Sequence, residues 1–172
     1  LSGESITAWV TDLTSHNVLA KEYIVVTVDT PGTLDACITA KGLQVSKVRN
    51  LKVTGKITAR DFGVMRYLMT ELAALNLKEV EIVKGDRGDF GADKSYDSVN
   101  NDSEIPSNAL VSKSKLTTLI LPDKLVRIKD NAFADCIGLT GSLIIPEGVV
   151  EIEFAAFRHC VNLNGKLSLP ST

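Results

Sequence analysis

Aromatic and histidine residues are scarce in this chain. Only 5% of its 172 residues are aromatic, and His16 and His159 are its two histidines. The sequence contains no paired-histidine metal spacing, no Gly-x-Ser-x-Gly turn and no phosphate-binding glycine loop. We therefore predict a non-catalytic protein, with no catalytic residue, no metal site and no cofactor.

Cysteines and net charge are also low. The three cysteines form no Cys-x-x-Cys pair, which argues against a disulfide framework or a zinc ribbon. The 19 basic and 21 acidic residues give a formal charge of -2, which does not suit a nucleic-acid binder. No apolar run approaches the roughly 18 residues of a membrane span, and no signal segment is visible. The 44% of apolar residues suffices for one domain with a core.

A repeat of 24 residues dominates the second half of the chain. Pro122, Pro146 and Pro170 stand 24 residues apart, and each follows a short apolar segment. Between the prolines, Ala-Phe and Cys recur at the same spacing, and residues 105–116 are a degenerate copy of residues 128–139. A fixed period of this length is typical of a solenoid, whose units bury their apolar faces by stacking on one another.

Two earlier segments resemble the same strand pattern. Leu51 and Val80 occupy the position of Leu119 in the motif L-x-x-L-x-L. We therefore predict an α/β solenoid: a right-handed coil with a parallel sheet on one face, and helices and irregular turns on the other. The predicted strands are residues 48–53, 77–82, 117–121, 141–145 and 165–169.

Helical patterns occur in the first half of the chain. Thr30-Pro31 predicts the start of a helix that runs to about Lys41, after a strand at residues 23–28. Thr58 and Asp61 form a capping-box pattern before a second helix, which we expect to end near Asn76. Its predicted apolar face comprises Phe62, Met65, Leu68, Met69 and Leu72.

The unit "LTTLILPDKLVRIKDNAFADCIGL", followed by "LTGSLIIPEGVVEIEFAAFRHCVNL", resembles the BspA-like leucine-rich repeats of bacterial cell-surface proteins. The resemblance implies a secreted or cell-surface protein, extracellular in location, that recognises a protein partner, with adhesion to a host protein as the usual suggestion. On this basis residues 1–47 form an N-terminal segment and cap. Residues 48–172 form the repeat domain, with an inserted loop at 83–104 and an incomplete last repeat.

Two other functions remain open. A glycan-binding module would need aromatic platforms, but Trp9 and the three tyrosines lie outside the near-consensus repeats. A structural stalk that carries another domain is the second alternative. Fold likeness alone does not identify a ligand.

The outward face of the sheet is the first candidate binding site. If Leu51 and its equivalents point into the core, alternation turns the next residue of each strand outward. These candidate ligand-binding residues are Lys52, Glu81, Ile120 and Ile144, with Lys52 and Glu81 as a cross-strand ion pair. The two isoleucines indicate either a contact site or a modest patch that neighbouring side chains cover.

The inserted loop carries the second candidate. Arg87-Gly88-Asp89 is the tripeptide that integrins recognise, and it lies in a glycine-bearing loop that we expect to be mobile. The alternative is that the tripeptide occurs here by chance and has no function. The same region holds acidic residues that could gather calcium, although their spacing does not fit an EF-hand and a solvated loop is the alternative. These residues are Asp86, Asp89, Asp93, Asp97, Asp102 and Glu104.

Three further features of the repeats carry expectations. Phe133 and Phe157 should stack as a buried ladder opposite the strands. Cys136 and Cys160 should be neighbouring, buried and reduced. The strand at residues 165–169 has no polar cap after it, so its open edge could pair with a second molecule.

Overall fold

Short parallel strands organise the computed structural model, which describes residues 22–90 and 101–171. The first two strands are the longest, and the strands of the later repeats have only two or three residues. The ten strands are β1 Ile24–Val28, β2 Asn50–Ile57, β3 Ala74–Asn76, β4 Val80–Ile82, β5 Glu104–Ile105, β6 Thr118–Ile120, β7 Arg127–Ile128, β8 Leu143–Ile144, β9 Glu151–Ile152 and β10 Leu167–Ser168.

The strands form three parallel sheets. The main sheet has the order β1-β2-β3-β6, and β4 pairs with the second half of β2. A second sheet has the order β5-β7-β9, and β8 pairs with β10. Parallel pairing between equivalent residues of successive units is what a repeat fold requires, so the predicted parallel arrangement is confirmed.

The register of the main sheet corrects one prediction. Leu51 pairs with Leu75, and Leu75 pairs with Leu119. Val80 instead pairs with Gly55, four residues further along β2 than Leu51. The predicted equivalence of Leu51 and Val80 is therefore wrong. Leu75 stands 24 residues after Leu51, so the period of the later repeats already holds in the first half of the chain.

The ladder is interrupted between β6 and β8. The units that contain β8 and β10 carry one more residue before the strand than the unit of β6, and Gly141 occupies this region with φ of 75°. An inserted residue shifts the alternation of the strand against its neighbour. The strands that were predicted as one continuous ladder therefore belong to two separate sheets in the described part of the chain, the main sheet and the pair of β8 with β10.

The described residues before 47 join the main sheet through β1. All five residues of β1 pair with β2, from Ile24 opposite Leu51 to Val28 opposite Gly55. Gly55 has φ of 88°, and a Cβ atom at this position would lie 2.4 Å from the carbonyl oxygen of Val28. Glycine is therefore needed where β1 approaches β2. The division into 1–47 and 48–172 remains a prediction.

The first helix begins later than the sequence pattern predicts. α1 spans Leu34–Ala40, because Gly32 adopts φ of 85° and ends any helical turn that starts at Pro31. The predicted cap by Thr30 is wrong. The cap is supplied from a distance: the Asp61 carboxylate accepts hydrogen bonds from the amides of Gly32 and Leu34 at 2.7 and 2.9 Å.

The second helix is shorter than predicted. α2 spans Ala59–Gly63 and continues as a π-helical turn over Val64–Leu68. The capping box is confirmed, since the Asp61 carboxylate also accepts the Thr58 amide at 2.9 Å. The wider turn moves Leu68 away from the buried face of the helix, and its side chain is 40% exposed. Asn76 lies in β3 rather than at a helix end. Among the described units after residue 101, turns connect the strands, in agreement with the irregular turns of the prediction, and no helix occurs.

The core of the repeats is a set of side-chain ladders. Phe133 and Phe157 stack with ring centroids 5.1 Å apart and planes 12° apart, which confirms the predicted ladder. Phe133 is fully buried, but Phe157 is partly exposed. Cys136 and Cys160 are both free thiols, with Cys136 buried and Cys160 partly exposed. Each thiol donates a hydrogen bond to a carbonyl of the preceding unit, at Leu110 and Phe133.

Candidate functional site

One row of outward-facing residues crosses the main sheet. The strand register aligns Val25, Lys52, Asn76 and Ile120 on four successive strands. Leu51 and Leu75 precede two of these residues and are fully buried, so alternation turns Lys52 and Asn76 to the opposite face. The structure thus brings two predicted site residues, Lys52 and Ile120, into one row.

The charges on this face pair differently from the prediction. Lys52 pairs with Glu79 at 2.5 Å, and Glu81 pairs with Lys56 at 3.6 Å. The predicted pair of Lys52 with Glu81 is wrong, because Glu81 stands opposite Lys56 in the register. The 24-residue spacing from Leu51 to Leu75 was the signal in the sequence that could have found the true strand register, in which Lys52 stands beside Asn76.

The apolar part of this face is unevenly exposed. Ile120 is partly exposed, and Asn76 beside it is buried at 4% exposure. Ile144 follows on β8, which contacts β6 without pairing with it, and is 62% exposed. The face therefore passes from ion pairs on β2 and β4 to an open aliphatic side chain on β8.

The Arg87-Gly88-Asp89 tripeptide lies against the start of α2. A Cβ atom at Gly88 would lie 2.7 Å from the Arg60 side chain, and one at Gly85 would lie 2.7 Å from Thr58. Phe90 stacks on Tyr67 with ring centroids 5.4 Å apart. The tripeptide thus packs on the protein surface, which differs from the projecting loop expected for an integrin ligand. Its role and its mobility stay predictions.

The acidic residues of the inserted loop do not gather in the described part of the chain. Asp93 and Asp97 lie outside the described residues. Asp102 accepts a hydrogen bond from the Lys84 amide, and Glu104 pairs with Arg127 at 2.7 Å. Within residues 22–90 and 101–171, no group of three potential metal ligands occurs.

A charged ladder on the second sheet was not predicted. Glu104, Arg127 and Glu151 face one another in register on β5, β7 and β9, and Arg127 is 2.8 Å from Glu151. The Glu104 side chain is only 4% exposed, so its ion pair with Arg127 is more buried than the ion pair of Arg127 with Glu151. Alternating signs at a spacing of 23 or 24 residues were the sequence signal.

The thiols of the repeats are poor nucleophiles. Burial raises the pKa of Cys136 to about 12 and also raises the pKa of Cys160. His159 contacts Asp135, 2.7 Å from its carboxylate, which holds the pKa of Asp135 below its usual value. A reactive cysteine needs a lowered pKa. Cys160 and His159 each contact the preceding unit, at the Phe133 carbonyl and the Asp135 carboxylate.

Within residues 22–90 and 101–171, no helix is long and apolar enough to span a membrane. α1 and α2 are far too short to cross a bilayer.

The fold and the outward face define a parallel-stranded repeat protein. Comparison with family models matches residues 103–172 to the family described as "BspA type Leucine rich repeat region (6 copies)". This segment is therefore similar to BspA-type leucine-rich repeats, in agreement with the resemblance of its sequence. The family is a non-catalytic repeat family and indicates a protein-interaction module. The comparison with curated proteins found no match for the chain.

Proposed function

We propose that this chain is a non-catalytic recognition module of a secreted or cell-surface protein, and that it binds a protein partner through the outward face of its sheets. The observation that carries the proposal is the composition of this face. The face carries ion pairs on and beside β2 and β4, and beyond β6 it ends at the aliphatic side chain of Ile144, which is 62% exposed. An apolar contact beside polar groups is the usual composition of a protein interface.

The wider setting of the module is proposed on the same grounds. The family indicates a surface or secreted location, because its members are typically bacterial surface or secreted proteins. Adhesion to a host extracellular protein is the proposed role. A right-handed solenoid is the proposed form of the chain, with residues 1–47 as its N-terminal cap and 48–172 as its repeats, and it is supported by the parallel register of successive units.

The proposal is tested with charge substitutions on the outward face. The variants Ile120→Glu and Ile144→Glu are assayed for binding to purified extracellular-matrix proteins by surface plasmon resonance. Val161→Glu is the matched control, since Val161 is 73% exposed and lies on a different part of its unit. We expect both isoleucine variants to lose binding and the control to keep it, with unchanged circular dichroism for all three.

Two results would contradict the proposal. Equal losses in the three variants would show that the outward face has no special role. Binding of the native chain to a glycan array, with no binding to any protein tested, would favour the glycan-binding module instead.

We also propose self-association through the edge of β10. Leu167 and Leu169 are each 58% exposed there, and neighbouring exposed apolar side chains favour contact with another chain. Sedimentation at increasing concentration should show a dimer that Leu169→Lys weakens. A monomer at all concentrations would contradict this proposal.

A further inference from the structure

A second surface of the molecule, at one edge of the main sheet, forms a small charged cleft. The cleft has a volume of about 400 Å³ and lies where β2, β3 and β6 begin. Its lining residues are Arg49, Asn50, Glu71, Ala73, Lys115 and Thr117.

Hydrogen bonds join the backbones that form the floor of the cleft. The Arg49 carbonyl accepts hydrogen bonds from the amides of Ala73 and Ala74, at 2.7 and 3.0 Å. The Ala73 carbonyl in turn accepts the Thr117 amide at 2.8 Å and the Thr117 hydroxyl at 3.0 Å. Three successive units thus lie side by side at this edge. The single methyl group of Ala73 lies between the longer side chains of neighbouring units and leaves the space open.

The walls of the cleft carry more positive than negative charge. The Lys115 ammonium lies 2.6 Å from one oxygen of the Glu71 carboxylate, and the Arg49 guanidinium lies 4.0 Å from the other. Lys115, and to a lesser extent Arg49 and Lys47, hold the pKa of Glu71 below its usual value. The single carboxylate of Glu71 therefore faces two cations. The side chain of Arg49 is 69% exposed, and that of Lys115 is 58% exposed.

Arg49 is positioned for a second carboxylate. Its distance of 4.0 Å from Glu71 exceeds that of a hydrogen bond, so the contact with Glu71 is an ion pair without a hydrogen bond. A guanidinium group presents its donors in a planar fork that matches a carboxylate. Glu71 already shows that a carboxylate fits between these two side chains.

We propose that this cleft binds an aspartate or glutamate side chain of an acidic peptide segment, held by Arg49 and Lys115 in competition with Glu71. None of the lining residues belongs to the row of Val25, Lys52, Asn76 and Ile120. The inference therefore does not depend on the proposed function of the outward face.

The test is a titration of the 172-residue chain with a tetraglutamate peptide, blocked at both ends and followed by amide chemical shifts in NMR. Arg49→Gln and Lys115→Gln should each weaken binding by about threefold, the scale of one exposed charge pair. Glu71→Gln should tighten binding by about threefold, because it removes the internal competitor. The shifts should concentrate at residues 49–50, 73 and 115–117.

Matched controls separate this site from general electrostatic attraction. Arg158 and Asp135 form an ion pair in the last repeats, with side chains 49% and 35% exposed. Arg158→Gln and Asp135→Asn change the net charge by the same amounts as the cleft variants, and we expect neither to alter the affinity. The proposal is overturned if these controls act as strongly as the cleft variants, or if Glu71→Gln does not tighten binding. Saturable binding of a sulfated oligosaccharide without binding of the peptide would overturn the acidic-peptide assignment.

Discussion

Successive repeats share a backbone feature that can be tested by exchange of side chains. Asn108, Asn131 and Ala155 occupy the same position of three units, with φ of 56°, 53° and 55°. In this left-handed region Asn occurs several-fold more often than residues such as Ala. Such a preference corresponds to about 1 kcal/mol, because a tenfold preference is worth about 1.4 kcal/mol.

The prediction is therefore a pair of opposite effects. Asn131→Ala should destabilise the chain by about 1 kcal/mol, and Ala155→Asn should stabilise it by about 1 kcal/mol. Urea unfolding measures both, and thermal unfolding should move by about 2–4 °C in each direction. Ala132→Gly, at the position that follows Asn131, controls for general sensitivity of this turn and should not stabilise. If Asn131→Ala costs nothing and Ala155→Asn gains nothing, the left-handed backbone at this position does not select the residue.

Three other predictions follow from the core and the loop. Phe133→Ala should cost about 3–5 kcal/mol in urea unfolding, and Phe157→Ala less, because its ring is partly exposed; a loss below about 1 kcal/mol for Phe133 would contradict its place in the core. Burial raises the pKa of Cys136 to about 12, so its thiol should react slowly with iodoacetamide at pH 8. Since this folded pKa lies above the unfolded value, the corresponding stability is present below about pH 9 and should fall as the pH rises toward 12. Cys136→Ala should reduce this fall, while Tyr23 and Cys160, whose pKa values burial also raises, keep their own shares. Arg87→Ala and Asp89→Ala should reduce integrin-dependent cell adhesion if the tripeptide is functional, and unchanged adhesion would refute that role.

The later repeats were predictable because their signals are local and periodic. The spacing of the prolines located the strands near residues 119, 143 and 167. The recurrence of Ala-Phe predicted the stacking of Phe133 on Phe157. The capping box of Thr58 and Asp61 was visible because both residues lie within one helical turn.

Long-range pairing explains the features that the sequence pattern missed. The start of α1 depends on Asp61, whose carboxylate accepts a hydrogen bond from the amide of Leu34, 27 residues earlier in the chain. The pairing of Leu51 with Leu75 was hidden because Val80 fits the same short motif. The two-residue strands β5, β7 and β9 are too short to show alternation, so the second sheet and its Arg127 ladder had no local signature. The cleft of Arg49, Glu71 and Lys115 arises from three units brought together by the sheet.

Photo-crosslinking would show directly which face of the repeats meets a protein partner. Ile144 and Val161 are replaced one at a time by p-benzoylphenylalanine, at positions that are 62% and 73% exposed. Irradiation with a bound matrix protein should give a crosslink from position 144 and none from position 161. A crosslink from position 161 alone would place the partner elsewhere and contradict recognition through the outward face.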